Sequence, residues 1–230
     1  MGIPQNLGPI VTAIGGLGTA AFGLLDAVKS VLPPINLIGF AHIRDVVAGL
    51  TPKEAGGGAP ANSLPQTNVV ATLRANWING TDLVSQKAIA KSLVKLHLSA
   101  GNAAAVATAT NVDEPLLVQV AISMANGAAL TQAQSDAYSR FDLIVTAMLD
   151  EAYQHSDQVY RNSTRALAGV IAVVVSVLGG WSLVTANYWG STEMWQAVLV
   201  GMLATPLAPI AKDISSALAT AVNTLQAVKK

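Results

Sequence analysis

Glu151, His155 and Asp157, in the stretch MLDEAYQHSDQ, are the residues best spaced to act together chemically. Glu151 and His155 stand four apart, so a helix puts a carboxylate and an imidazole on one face, with Asp157 near. Such a set could add a vertex to a metal site. It lacks the second helical histidine that makes zinc motifs specific, so the stretch reads as an exposed polar helix face and no metal ligand is assigned. His42 and His97 are isolated in the sequence and read as interfacial or solvated histidines. Cysteine is absent, which excludes disulfides, thiolate metal sites and cysteine nucleophiles. No Ser–His–Asp set can be singled out, since any serine would be an arbitrary pick.

Gly16-Leu17-Gly18-Thr19-Ala20-Ala21 formally fits the dinucleotide fingerprint GxGxxA. That motif works only inside a βαβ unit, with an acid on the second strand to hold a ribose. Asp45 could stand in for the acid, but no further parallel strands follow. A phosphate loop GxxxxGK[ST] is missing, and AGGGAP has neither its lysine nor a following helix. The expectation is therefore a protein that is not an enzyme, with no catalytic residue, cofactor or metal. A membrane enzyme built on the Glu151/His155 face stands behind that expectation, and it would need bound metal.

The elements that must position any site point to lipid. Hydrophobic residues make up 52% and charged residues 11% of the 230, with a formal net charge of +0 and a mean hydropathy of +0.47. A globular domain in water carries about 25% charge. The neutral balance offers no field to draw in nucleic acid. From Ala166 to Thr192 there is no charged residue, and ten of the residues 166–187 are Leu, Ile or Val. That length crosses a hydrocarbon core of about 30 Å. Trp181, Tyr188, Trp189 and Trp195 cluster at its far end as an interfacial belt.

A second uncharged run, Met194 to Ala211, forms a hairpin with the first. Pro206 and Pro209 predict that its regular part stops near Thr205. A third, Met1 to Leu25, is less apolar. Its Gly15, Thr19 and Gly23 fall four apart, a small-xxx-small spacing that lets helix backbones pack closely in lipid. These first 25 residues carry no Lys or Arg, so the basic region of a cleavable signal peptide is missing. All thirteen Lys and Arg fall between Lys29 and Arg165 or from Lys212 onward. The positive-inside rule then puts the N-terminus outside and the middle region and C-terminus in the cytoplasm. On that topology the NGT at Asn79 and NST at Asn162 carry no glycan.

The regions between the spans read as helical. Residues 32–50 interleave apolar positions with His42, Arg44 and Asp45, as in a segment lying on the cytoplasmic membrane face. Residues 51–68 are linker by composition. Thr81 or Asp82 caps a helix through LVSQKAIAKSLVKLHL, whose Lys87, Lys91 and Lys95 form a basic face. That face is solvated, or else meets anionic lipid or an acidic partner. AGNAAAVATATNVDEP is a break of small residues. Asp113 caps the next helix, Gly127 ends it, and Thr131 caps a long helix that enters the membrane as a stalk. DISSALATAVNTLQAVKK is a C-terminal amphipathic helix.

The expected fold is an all-α integral membrane protein with three transmembrane helices, multi-pass in the cell (inner) membrane. Residues 1–31 are an N-terminal transmembrane helix and 32–67 an interfacial segment and Gly/Pro linker. Residues 68–164 are a cytoplasmic helical domain and stalk, 165–211 a transmembrane hairpin, and 212–230 the amphipathic helix. The expected function is a self-associating, non-enzymatic membrane protein that anchors or scaffolds a cytoplasmic assembly. The alternative is a homo-oligomeric channel or pore gated through the cytoplasmic domain. Thr12, Thr19, Ser176 or Thr185 would line it, because the spans hold no ionisable residue at depth. The expected partners are the lipid bilayer, further copies of the chain and a protein at the cytoplasmic domain, with no nucleic acid.

Overall fold

A computed structural model describes residues 7–53, 65–184 and 187–209. The expected helix at 212–230, most of the Gly/Pro linker and Thr185 lie outside the described residues. Those described are helical, with no strand among them. The helices are α1 (Leu7–Val31), α2 (Phe40–Leu50), α3 (Gln66–Ile78), α4 (Leu83–His97), α5 (Ala103–Thr110), α6 (Glu114–Ala125) and α7 (Gln132–Leu183). An eighth, α8, covers residues 192–209. The chain divides into two compact units. One takes Met1–Pro33 with Arg161–Lys230, and the other Pro34–Tyr160. Helix α7 continues from one into the other.

The helix boundaries of the Pro34–Tyr160 unit follow local signals. Pro33 and Pro34 end α1 and open a short 3-10 turn, Pro33–Leu37. The Asp82 carboxylate accepts from Ser85 N at 2.9 Å and starts α4. Hydrogen bonding from the Ser85 side chain, and then from its backbone N–H, holds the Asp82 carboxyl below its ordinary pKa. Asp113 caps the start of α6, accepting from Leu116 N at 2.9 Å, with Pro115 in the first turn, where its missing N–H is harmless. Gly127, at φ +65°, ends α6. Thr131 and Gln134 cap α7 reciprocally. Gln134 N donates to Thr131 Oγ1 at 3.3 Å, and Thr131 N donates to Gln134 Oε1 at 2.9 Å.

Four expectations change here. The apolar side of residues 32–50 does not lie free for a membrane face. Phe40, Ile43, Val47 and Leu50 of α2 fall at helical spacing and are buried in the unit's core with Leu73, Val94, Leu117 and Phe141. Gln66 fixes the far end of α2, its Nε2 donating to the carbonyls of Ala48 at 3.0 Å and Thr51 at 2.8 Å. The stretch read as a break of small residues contains α5, with Ala103, Val106, Ala107 and Thr110 buried. Alanine is the best helix former, but a helix without large apolar residues gives little periodic signal.

His97 is not solvated. It is buried, with Nε2 donating to the carbonyl of Pro52 at 3.0 Å. The side chain of Asn102, also buried, donates to His97 O at 2.6 Å and accepts from Ser99 N at 2.8 Å, which closes the turn into α5. Finally, the α4 lysines do not stand unpaired in solvent. Lys87 pairs with Asp150, and Lys91 and Lys95 both reach Asp142, at 2.6 and 2.9 Å. The acidic partner of the basic face is α7 of the same chain.

This ladder has a calculable pH dependence. The hydrogen bond from Lys91, then that from Lys95, holds the Asp142 carboxyl below its ordinary 3.8. The hydrogen bond to Asp142 raises Lys95 above its ordinary 10.5. The depressed carboxyl contributes stability above pH about 3.8, lost as pH falls through its lower folded value. The raised amine contributes below pH about 10.5 and its share is lost as pH rises further. The three side chains are about a quarter to a third exposed, so solvent screens the pairs and the whole effect is about 1 kcal/mol. Asp142→Asn should lower the unfolding free energy from denaturant titration by about that amount at pH 7 and lose its effect towards pH 3. Equal destabilisation at both pH values would show that the residue acts through packing instead.

Candidate functional site in the apolar helices

The unit formed by α1, the Arg161–Leu183 part of α7 and α8 centres on small residues and exposes many large apolar ones, although Leu25 and Tyr188 are buried in it. Its buried centre is Ala21, Ala172 and Ala204, with Ile14, Leu17 and Ile171 packed around them. Ala168 is buried as well. Outside stand Val174 at 50% exposure, Leu178 at 49%, Leu199 at 59%, Met202 at 62% and Leu203 at 51%.

Helix α8 meets both α7 and α1 at a glycine. A Cβ on Gly201 of α8 would stand 2.5 Å from Val173 Cα and 2.8 Å from Val173 N on α7. A Cβ on Gly18 of α1 would run into the Ala204 carbonyl of α8. Gly169 of α7 faces Thr205 Oγ1, at 3.7 Å from where its Cβ would be. Residue 169 therefore lies beside 205 and 173 beside 201, so α7 and α8 run antiparallel, as a hairpin requires. Gly16–Ala21 lies within α1, and the PIVTAI stretch before it is part of the same helix, so Gly18 serves helix packing and not a nucleotide loop.

The expected site residues divide. Gly15 is buried, whereas Thr19 and Gly23 are exposed. Thr19 Oγ1 bonds back to Gly15 O at 3.1 Å, and nothing lies within 4 Å of a Cβ at Gly23. Spacing alone could not show that Gly18, one step off the expected stripe, makes the close approach within the chain. Trp181, Trp189 and Trp195 are 45%, 64% and 61% exposed. Trp181 and Trp189 sit with ring centroids 6.0 Å apart. Tyr188 is instead buried, its ring lying over Gly180, and it meets Trp189 edge-on at 5.9 Å.

Helix α8 also departs from expectation. It runs through Pro206 to residue 209 and does not stop at Thr205. A proline inside a helix loses one backbone bond and crowds the preceding turn. Ala204 and Ala208, buried on either side of Pro206, hold that turn against its neighbours. Of the hydroxyls expected to line a pore, Thr12 and Ser176 are half-buried and Thr19 is exposed.

Two helices, Ile10–Val31 and the apolar part of Gln132–Leu183, are long and apolar enough to cross a membrane. Only 22% and 11% of their apolar windows are buried within the chain. A core helix of a water-soluble domain would be mostly buried. Comparison of the chain with protein-family models, with curated proteins and with solved structures found no match.

Proposed function

We propose that the chain is a non-enzymatic, self-associating membrane protein. Its helices α1, α7 and α8 cross the cell (inner) membrane, and its helical unit serves as a cytoplasmic platform for a protein assembly. The observation that carries this reading is the inverted packing of the apolar unit. Burying a Leu, Val or Met side chain is worth about 1.5–3 kcal/mol. Five such side chains at roughly half exposure forgo on the order of 5 kcal/mol in water, a large part of a whole domain's net stability. In lipid the same surface costs nothing, and small residues at helix contacts are what close packing there requires.

The topology follows from charge. The turn between α7 and α8 has no Lys or Arg, whereas residues 29–165 hold ten of the chain's thirteen. The three tryptophans near that turn suit an outer interface. Within one chain the space between α1, α7 and α8 is filled by Ala21, Ala172 and Ala204 with Ile14, Leu17 and Ile171 packed against them, so any pore would have to form between copies.

The absence of cysteine makes a direct test available. Single cysteines at Thr192 and at Ser92, both exposed, can be labelled in intact cells with a membrane-impermeant maleimide. Thr192→Cys should label from outside, and Ser92→Cys only after the membrane is opened. Labelling of both from the same side, or release of the chain by alkaline wash, would end this reading. The mass of the detergent-solubilised particle then reports self-association, and ion flux through liposomes separates a scaffold from a channel.

A further inference from the structure

The two ends of the Pro34–Tyr160 unit meet at one aromatic ring. Trp77, in the last turn of α3, donates from Nε1 to the Asn36 carbonyl of the 3-10 turn at 3.0 Å. Its ring centroid lies 6.0 Å from that of Tyr160, edge-on at 82°, and 6.5 Å from that of Phe40. The place where the chain enters the unit and the place where it leaves therefore stand side by side. The surface around them is apolar. Ile35, Leu37 and Ile38 are half-buried, and Ile78 is 43% exposed. We propose that this end of the unit rests in the phospholipid headgroup layer of a bilayer, with Trp77, Ile78 and Tyr160 as its anchor. The proposal rests on the reading that α1 and α7 cross a membrane.

Chain length carries the argument. Pro34 follows Val31, the last residue of α1, by at most about 11 Å of extended chain. Tyr160 precedes Ala166, the first residue of the uncharged run, by about 9 Å of helix. Both are contour lengths and hold however the two units are turned. A headgroup layer is about 5–8 Å deep, and aromatic side chains reach beyond their own backbone, so the rings meet it. Tyr and Trp are the side chains that favour this layer, with an apolar body and a polar tip. The Trp77 N–H is already bonded to Asn36, so its ring can leave water without orphaning a donor. Arg161 and Arg165, exposed and four apart on α7, bring positive charge to the same level, where lipid phosphates lie.

The surface is held in place. Gly39 packs on the Ser156 backbone, His42 Nε2 lies 3.1 Å from a Glu151 carboxylate oxygen, and the rings of His42 and His155 sit 4.6 Å apart. These contacts fasten the start of α2, and with it the 3-10 turn just before, to α7. Helix α2 buries its apolar side in the core, which leaves only that turn to meet lipid. The other end of the unit stands clear. Ser92 of α4 lies between Lys91 and Lys95, which both pair with Asp142. Asp142 precedes Ala166 by about 36 Å of helix.

The test uses the full chain in vesicles of phosphatidylcholine and phosphatidylglycerol, with a small fluorophore on a single introduced cysteine. One vesicle set carries a nitroxide on the lipid headgroup and a second carries it deep on the acyl chain. Ile78→Cys should be quenched by the headgroup nitroxide at least about threefold more than Ser92→Cys, which stands far outside a layer about 5–8 Å deep. Quenching at Ile78→Cys no greater than at Ser92→Cys overturns the proposal. So does shielding of Ile78→Cys from both the headgroup nitroxide and a water-soluble quencher, which would show that protein covers this end instead. Leu199→Cys, at an exposed position of α8, separates the two readings. Quenched by the acyl-chain nitroxide, it keeps the spans in lipid whatever happens at Ile78. Unquenched, it takes the membrane reading and this proposal down together. If Ile78→Cys fails to fold, Asn79→Cys, also exposed, decides by the same comparison.

Discussion

Gly201→Leu should disrupt the apolar helices, while Gly23→Leu should leave them folded. At Gly201 a Cβ would stand 2.5 and 2.8 Å from Val173 backbone atoms and 3.0 Å from the Ala172 carbonyl. All three neighbours are backbone within α7, so no rotamer change can relieve the overlap. Overpacking costs about 1–3 kcal/mol even where side chains can move, and a leucine here adds three further carbons to the same gap. The expected loss is at least about 3 kcal/mol, a fall of roughly 6–12 °C in the melting midpoint of the detergent-solubilised chain. At Gly23 nothing stands within 4 Å of a Cβ. Replacing that glycine relieves backbone entropy in the helix, worth about 0.5–1 kcal/mol, so its melting should hold or rise. The pair also reports on self-association. If the Gly15, Thr19 and Gly23 stripe is the seam between copies, Gly23→Leu gives a smaller particle with an intact monomer. An unchanged particle mass places the seam elsewhere.

The legible parts of the fold were those written in local chemistry. Asp82, Asp113, Gly127 and Thr131 announce helix ends because a cap is made by residues three or four apart in sequence. The uninterrupted run from Thr131 likewise foretold one long helix, and Gln132–Leu183 is one. The missed parts were long-range. Nothing near Lys91 shows that Asp142 lies beside it. Nothing near His42 shows Glu151, and nothing near His97 shows the Pro52 carbonyl. An amphipathic face announces that it will be covered but not by what, so the apolar side of α2 was assigned to lipid when Leu73, Val94 and Phe141 cover it. Helix α5 was missed for the opposite reason. Its buried side is alanine, valine and threonine, too small to stand out from a loop rich in the same residues. The glycines of the apolar helices announced close packing, but which of Gly15, Gly16 and Gly18 makes the contact depends on the rotation of α1, which spacing does not fix.

Gly39→Ala should be the most damaging small substitution in the Pro34–Tyr160 unit. Gly39 has φ +88°, a left-handed conformation that costs an ordinary residue about 1–2 kcal/mol. Its Cβ would also collide with the Ser156 carbonyl, with the carbonyl carbon at 3.2 Å and Cα at 3.5 Å. Ser156 is fully buried inside α7, so the start of α2 must lift instead, and Phe40 and Ile43 leave the core with it. Strain and displacement together should cost about 3–5 kcal/mol, read as a lower denaturant midpoint. Gly80→Ala and Gly127→Ala are the controls. Both glycines have positive φ, +66° and +65°, but open space where a Cβ would go, so each should cost only the conformational share of about 1–2 kcal/mol. Equal losses at all three positions would show that the α2–α7 contact carries no weight of its own. A larger loss at Gly39 makes that contact the fixed point that sets the start of α2, and with it His42 beside Glu151, against α7.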